Sequence, residues 1–353
     1  MTSFNASEVN LHTASKADVL CYYATDEKDY NGHLGARISS IFVILFVSTT
    51  FTFFPVVSKS LPSWKIPHSV YIFARYFGTG VILATAFIHL LDPAYKRIGP
   101  KTCVGVSGYW GEYSWCAAIV LAAVVGIFLL DLAAEEYVER KYGIERDETA
   151  TDAFITQAPI DEGHTTELEN PSKEAAQHAG PSSDSTTASR AFSQQIAAFL
   201  ILEFGIIFHS VIIGLNLGVT GSEFATLYPV LVFHQSFEGL GIGARLSAIP
   251  FPQSKKSLPY ILCLLYGLTT PISIAIGLGL RTTYNPKSKE SLIIQGVFNA
   301  VSAGVLIYSA LVELLARDFL FDPHRTKKRA QLVYMVFCVL LGAGIMCLIG
   351  KWA

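Results

Sequence analysis

The sequence predicts an all-α integral membrane protein with eight transmembrane helices in a 3+5 arrangement and both termini extracellular. Three observations support this fold class: few charged residues, repeated apolar runs, and an unequal distribution of basic residues between loops. Charged residues are 15% and hydrophobic residues 51% of the 353-residue chain, whereas soluble domains carry about 25% charge. The formal net charge of −2 excludes a polybasic protein. We therefore expect a lipid bilayer as the environment and no nucleic acid as a partner.

Apolar runs of about 20 residues, the length that crosses a bilayer, recur along the chain. We expect spans at 37–57, 70–91, 117–138, 196–218, 226–247, 257–280, 292–316 and 331–350. The sixth span contains Pro271, which removes a backbone hydrogen bond and is expected to kink that helix.

These spans divide the chain into four segments. We expect an extracellular tail over 1–36, helices 1–3 over 37–138, a cytoplasmic loop over 139–195, and helices 4–8 over 196–353. The loop is rich in Ser, Thr, Glu, Asp, Ala and Pro and has few large apolar residues. Because such a composition cannot bury a core, we expect a disordered loop. This argues against a metal-sensing receptor, which would need a structured loop.

The basic residues predict the orientation. An even number of spans puts both termini on one side, and placing them outside leaves more Lys and Arg in the short cytoplasmic loops than in the outer ones. Cys103 and Cys116 flank one outer loop, where they either form a disulfide or remain two free thiols. Cys21 lies in the tail and is not expected to belong to a disulfide framework.

Two spans carry ionisable side chains near their centres, at His209 in the fourth span and at His234 and Glu238 in the fifth. Such groups cost roughly 2.5–3.5 kcal/mol each when charged at mid-membrane, so they are rare without a function. His234 and Glu238 are four residues apart and therefore share one face of a helix. A single buried histidine is more often a hydrogen-bonded structural residue, but three converging groups favour a site for a divalent transition metal.

Glycine stripes predict how these two spans meet. Gly214 and Gly218 line one face of the fourth span, and Gly239 and Gly243 line one face of the fifth. Small residues let membrane helices approach closely, so we expect the two stripes to bring His209 within reach of His234 and Glu238. Water or the hydroxyl of Ser210 would complete a four-ligand, labile site.

Other polar residues within the spans suggest a path for an ion. His89 and Asp92 end the second span at its outer face and form a candidate entrance. The candidate exit comprises acidic residues toward the cytoplasmic side, Asp131, Glu135, Glu203 and Glu313. Alternatively, some of these acids pair with basic residues at helix ends, such as Arg75 or Arg317.

The motifs HSVIIGLNLG at 209–218, HQSFEGLG at 234–241 and GVILATAFIHLL at 80–91 resemble the plant and fungal branch of the ZIP (Zrt- and Irt-like) family of divalent metal transporters. The resemblance implies eight helices, both termini outside, uptake toward the cytosol and a homodimer. It also implies an elevator-like movement of helices 1, 4, 5 and 6 against the other four. His209, His234 and Glu238 match metal ligands of the family.

The resemblance also bears on the number of ions. Bacterial members with two adjacent metal sites have Asn, Asp and two Glu where this chain has Ser210, Gln235, Thr270 and Ile213. These substitutions remove three carboxylates and leave weaker oxygen donors, among which we include Ser210 and Gln235 as candidate ligands. We therefore expect one principal site.

The function predicted from the sequence is transport of Zn²⁺ into the cytosol without ATP, since no Walker-type GxxxxGK[ST] motif is present. Zn²⁺ is then the substrate, and no cofactor is expected. The resemblance favours zinc, with Fe²⁺, Mn²⁺ and Cd²⁺ as alternatives, and the plasma membrane over the vacuolar or endosomal membrane. The competing class is an intramembrane zinc-dependent hydrolase. The absence of an HExxH motif from the sequence argues against it.

Overall fold

The computed structural model describes residues 13–24, 32–61, 66–106, 108–142, 182–221, 223–283, 285–321, 326 and 328–352. Helices form nearly all of the regular structure in these ranges, which contain no strand. In chain order the helices are α1 (Lys16–Ala24), α2 (Leu34–Ser60), α3 (His68–Ala84), α4 (Asp92–Ile98), α5 (Trp115–Tyr142), α6 (Ser182–Val219), α7 (Phe224–Ala248), α8 (Leu258–Leu280), α9 (Lys289–Tyr308) and α10 (Arg329–Ile349). A π-helical segment, Thr85–Leu91, joins α3 to α4, and a second, Ser309–Phe321, extends α9.

In the described part of the chain, seven helical segments are long and apolar enough to cross a membrane. They are Leu34–Ser60, His68–Ile98, Trp115–Lys141, Phe192–Val219, Gln253–Leu280, Lys289–Phe321 and Arg329–Ile349. Each corresponds to one of the expected spans. The remaining expected span is the 25-residue helix α7, whose hydropathy is lowered by polar residues that include His234, Gln235 and Glu238. The residues that predict a function are thus also those that make this helix less apolar.

Two helices extend beyond the expected spans into the expected loop. Helix α5 continues to Tyr142 and α6 begins at Ser182, so residues 139–142 and 182–195 are helical. The rest of that loop, 143–181, lies outside the described residues. Helix α8 continues through Pro271.

The cysteine pairing differs from both alternatives considered above. Cys103 forms a disulfide with Cys21, and Cys116 is a buried free thiol. Helix α1 brings Cys21 to the loop after α4. The positions of the cysteines in the sequence could not indicate this contact. Cys116 instead packs in an apolar cluster with Ile98 and Val104. The expectation that Cys21 stands apart from any disulfide is therefore wrong.

The long helices pack in two groups. In one group α6 lies along α8, and α2 lies along both α7 and α8; in the other, α3 lies along α10 and α5 lies along α9. The groups meet mainly where α3 contacts α7 and where α9 contacts α6. At the first of these contacts Gly78 of α3 faces Gly241 of α7, and a Cβ built on Gly78 would lie 2.2 Å from the Cα of Gly241. The two backbones touch directly there.

Candidate metal centre

Three buried side chains on α6 and α7 converge on one point. The Nε2 atoms of His209 and His234 lie 3.1 Å apart, and Nε2 of His234 lies 3.2 Å from Oε2 of Glu238. One ligand atom from each residue lies within 4.8 Å of the others, and each residue is at most 2% exposed. In the part of the chain that the structure describes, no other cluster of three His, Cys, Asp or Glu residues has this geometry.

The spacing of these atoms suits a zinc ion. Zn–N and Zn–O bonds of about 2.0–2.2 Å in a tetrahedral site place neighbouring ligand atoms about 3.3–3.5 Å apart, close to the two distances observed. Apart from the 3.2 Å contact between His234 and Oε2 of Glu238, Nδ1 of His234 and the carboxylate oxygens of Glu238 have no hydrogen bond of ordinary geometry. Buried polar atoms are almost always partnered in folded proteins, so this concentration of unpartnered atoms indicates a ligand site. Three protein ligands leave a fourth position open.

The glycine stripes do not join α6 to α7, contrary to the expectation above. Gly214 and Gly218 face α8, where a Cβ on Gly218 would lie 2.6 Å from the backbone nitrogen of Leu278. Gly239 and Gly243 face α2, where a Cβ on Gly243 would lie 2.2 Å from the carbonyl oxygen of Thr52. The stripes do mark close helix contacts, but the partner of each helix is different from the one expected.

The two candidate oxygen donors follow the histidines in sequence. The amide nitrogen of Gln235 donates a hydrogen bond of 2.6 Å to the hydroxyl of Thr270, which leaves Oε1 of Gln235 without a partner. The Ser210 hydroxyl is 99% buried and also has no partner. Gln235 and Thr270, which were matched to carboxylate positions by resemblance, are therefore neighbours in space. A neutral amide and a hydroxyl thus stand at the two positions that were matched to carboxylates.

His89 lies closer to the cluster than an entrance residue would. Its ring centroid is 5.2 Å from that of His234, in an edge-to-face arrangement, and its Nε2 is buried without a partner. The π-helical segment that begins at Thr85 positions it, and π-helical turns are frequent at functional sites. Thr85 itself interacts with Glu238 and was missed by the sequence analysis, because a threonine in an apolar span carries no charge signal.

A cavity of about 350 Å³ reaches the cluster from one side. His89 and His209 lie in its wall, together with the carboxylate-bearing Asp92 and Glu223, and we call it the His89 cavity. Asp92 also forms a largely exposed ion pair of 2.7 Å with Lys96, four residues later. The candidate entrance residues thus both line the space that leads to the side chains of the candidate metal centre.

A second cavity of about 390 Å³ lies toward the opposite ends of the same helices and includes none of the three cluster residues in its wall. Its charged lining residues are Arg75, Arg245, Glu313, Arg317 and Asp318, and we call it the Arg245 cavity. Two ion pairs cross its wall, Arg75 with Asp318 and Arg317 with Glu313, each at 2.7 Å. Arg245 was not predicted to line the path, because a basic residue near a helix end is ordinarily a loop-facing charge. It lies within α7 and donates a hydrogen bond to the Thr79 hydroxyl.

The four candidate exit residues have different surroundings. Glu313 lines the Arg245 cavity and pairs with Arg317, as the alternative above expected. Asp131 accepts a 2.8 Å hydrogen bond from the Tyr308 hydroxyl, and Glu135 is exposed on α5; neither lines one of the two cavities. Glu203 is buried between the cluster and the Arg245 cavity, whose wall includes its neighbour Leu202.

Comparison with known proteins gives evidence, independent of the geometry, about the family of this chain. The sequence model of a family described as "ZIP Zinc transporter" matches residues 34–350. The chain is 54% identical over 368 residues to zinc-regulated transporter 1 of Saccharomyces cerevisiae, covering 99% of this chain and 97% of the relative. Zinc-regulated transporter 1 of Schizosaccharomyces pombe is 39% identical over 378 residues, covering 96% and 90%. Zinc transporter 5 of Oryza sativa is 31% identical over 345 residues, covering 96% and 93%.

Proposed function

The chain belongs to the ZIP family of zinc transporters, and we propose that it carries Zn²⁺ across its membrane into the cytosol through a site formed by His209, His234 and Glu238. The observation that carries this proposal is the convergence of one ligand atom from each of three buried side chains within 4.8 Å. Two neutral imidazoles and one carboxylate are a zinc ligand set. The open fourth position lets a carried ion exchange ligands and leave. We assign one principal ion, because Ser210 and Gln235 supply no further charge.

The orientation of the path follows from the disulfide. The bond between Cys21 and Cys103 joins α1 to the loop after α4, and α4 lines the His89 cavity through Asp92 and Lys96. Because disulfides persist in oxidising compartments, this cavity is assigned to the extracellular side and the Arg245 cavity to the cytosol. With α7 as the eighth crossing, in a 3+5 arrangement, we infer from the same assignment that both termini lie outside.

An elevator-like movement fits the division of the helices into two groups. The ligands lie on α6 and α7, which pack with α2 and α8, while α3, α5, α9 and α10 form the other group. The direct contact between Gly78 and Gly241 presents smooth backbone surfaces where the groups meet. Movement of the first group would carry the bound ion from the His89 cavity toward the Arg245 cavity.

The driving force requires no nucleotide. An ion with two positive charges gains about 2 × 2.3 kcal/mol per 100 mV of inside-negative potential when it moves inward. Low free zinc in the cytosol adds to this gradient. The family consists of carriers and not of enzymes, which excludes the intramembrane hydrolase considered from the sequence.

Three further assignments complete the proposal. We propose residence in the plasma membrane, where a transporter that brings Zn²⁺ into the cytosol would act in uptake. We also propose a homodimer in a lipid bilayer, with the exposed apolar side chains Leu121, Phe128 and Leu129 of α5 as one face available for contact with a second copy. Zinc is the preferred ion over Fe²⁺, Mn²⁺ and Cd²⁺.

Uptake by purified protein in liposomes tests the proposal. Radioactive zinc should accumulate inside when an inside-negative potential is imposed, and an excess of Fe²⁺, Mn²⁺ or Cd²⁺ should compete less well than unlabelled zinc. Liposomes that contain the His209→Ala variant serve as the comparison. Absence of accumulation by the wild-type protein, or equal accumulation by the variant, would contradict the proposed function.

A further inference from the structure

The carboxylate of Glu203 is a buried charge-bearing group that the metal centre leaves unused. Glu203 lies on α6 six residues before His209, about 9 Å along the helix toward the Arg245 cavity. It is 95% buried, and neither of its carboxylate oxygens has a hydrogen-bond partner. Its helix neighbours Leu202 and Ile206 belong to the largest apolar cluster. An isolated carboxylate in such surroundings is strongly unfavourable unless a cation or a proton accompanies it.

A second unpartnered oxygen lies nearby on the adjacent helix. Tyr266 of α8 is 99% buried, and its hydroxyl has no hydrogen-bond partner. Both Glu203 and Glu238 interact electrostatically with this tyrosine, and they also interact with each other. The nearby Cys263 thiol has a partner, since it donates to the carbonyl of Thr52. Tyr266 and the helix neighbours of Glu203 belong to one apolar cluster, and their helices α6 and α8 pack together, so two oxygen-bearing groups without hydrogen-bond partners lie in one apolar region.

The position of these groups matches a gap in the ion's path. The His89 cavity ends at the metal centre, and the Arg245 cavity begins at Leu202 and Phe199 on α6. Between them lies part of the apolar cluster that contains Tyr266 and the helix neighbours of the buried Glu203. An ion that leaves Glu238 for the cytosol has to cross this layer, where water is excluded and oxygen ligands are otherwise scarce.

We propose that Glu203 and Tyr266 form an inner cation site, at which the divalent ion is bound transiently after it leaves His209, His234 and Glu238. This inference rests on the proposed function and deepens it by adding a second step to the path. The carboxylate supplies the charge that compensates the dehydrated ion, and the tyrosine hydroxyl supplies a neutral oxygen. A site of this weak donor set releases the ion into the Arg245 cavity.

Zinc uptake kinetics in liposomes test the inference. In Glu203→Gln, which keeps the shape and removes the charge, the maximal rate should fall at least 10-fold. The zinc concentration for half-maximal uptake should change less than 2-fold, because the capture site is intact. Glu203→Asp should restore part of the rate, and Tyr266→Phe should lower it several-fold. Glu136→Gln is the matched control, since this carboxylate is exposed and paired with Arg140 on the outer face of α5.

A gain-of-binding variant tests the same site directly. Glu203→Cys replaces the carboxylate with a thiol, and thiolates hold zinc more firmly than carboxylates do. The purified variant should retain more zinc than the wild-type protein after desalting, measured as metal per chain. The wild-type protein already contains the free cysteines Cys116, Cys263, Cys338 and Cys347 and therefore controls for adventitious thiol binding.

The outcomes separate the two proposals. Wild-type kinetics of Glu203→Gln, or no extra zinc on Glu203→Cys, would overturn the inner cation site. The proposed function would still stand in that case, provided that His209→Ala abolishes uptake. A parallel loss of zinc binding and thermal stability in Glu203→Gln would indicate a structural role for the carboxyl group and would likewise overturn the inference.

Discussion

Replacement of His209 by alanine separates the metal-binding role of the cluster from its structural role. Among the contacts within the cluster, only that between His209 and His234 is lost, whereas the 3.2 Å contact between His234 and Glu238 remains within α7. The buried carboxylate therefore keeps its neighbour in the variant. We expect His209→Ala to reach the cell surface in wild-type amount and to fail in zinc uptake.

The size of the effect follows from the number of ligands. Loss of an outer partner that merely orients a metal ligand costs roughly 10–100-fold in metal affinity, so loss of one of three direct ligands should cost at least about 100-fold. That factor corresponds to about 2.8 kcal/mol, at 1.4 kcal/mol per tenfold change. At zinc concentrations near half-saturation for the wild type, uptake by the variant should therefore fall to a few per cent or less.

The assay is the initial rate of radioactive zinc uptake by cells over a zinc concentration series, normalised to surface protein. His68→Ala is the matched control, because His68 is an exposed histidine at the start of α3. His234→Ala provides a contrast: it removes the 3.2 Å neighbour of the buried Glu238 carboxylate, and loss of a hydrogen-bonding neighbour of a buried polar group costs about 1–3 kcal/mol, so protein abundance should fall as well as uptake. Undiminished uptake by His209→Ala at wild-type surface abundance would refute the assignment of the metal centre.

Three other substitutions test the remaining features. Gly241→Val places a side chain against the α3 backbone, because a Cβ there already lies 2.7 Å from a Cα of α3; uptake should fall more than 10-fold, while Gly126→Val, with open space around it, should leave uptake unchanged. Cys103→Ser frees the Cys21 thiol, so a membrane-impermeant maleimide should label the variant on intact cells more strongly than the wild-type protein on intact cells; equal labelling would contradict the extracellular assignment. Glu238→Gln removes the one carboxylate of the cluster, so zinc binding to the purified protein, followed by equilibrium dialysis, should weaken at least about 100-fold; unchanged affinity would show that Glu238 is not a ligand.

The three side chains of the candidate metal centre could be singled out from the sequence because their signals are local. A spacing of four residues places His234 and Glu238 on one helix face whatever surrounds the helix. The cost of an ionisable group in a membrane likewise depends on position along the span and not on the partner helices. For the same reason, the helix positions could be predicted to within a few residues in most spans.

Features that depend on which helices meet could not be predicted in this way. A glycine stripe shows that something approaches closely, but not which helix it is, so Gly218 was assigned to the wrong neighbour. The pairing of Cys21 with Cys103 depends on where the tail folds back, which no local pattern encodes. The depth of His89 depends on the π-helical segment, since a turn wider than the α-helix rotates every later residue relative to an α-helical prediction.

The glycine contacts have a consequence for how the metal centre is held together. Helices α6 and α7, which carry the three candidate ligands, contact each other little; α6 is positioned by α8, and α7 by α2. The 3.1 Å approach of His209 to His234 therefore depends on a chain of packed helices, from α6 through α8 and α2 to α7. Displacement of one of these helices alone would separate the ligands, because the glycine contacts leave no room for adjustment. An ion can stay bound to all three side chains during the crossing only if the four helices move together. This is the movement that the proposed mechanism requires.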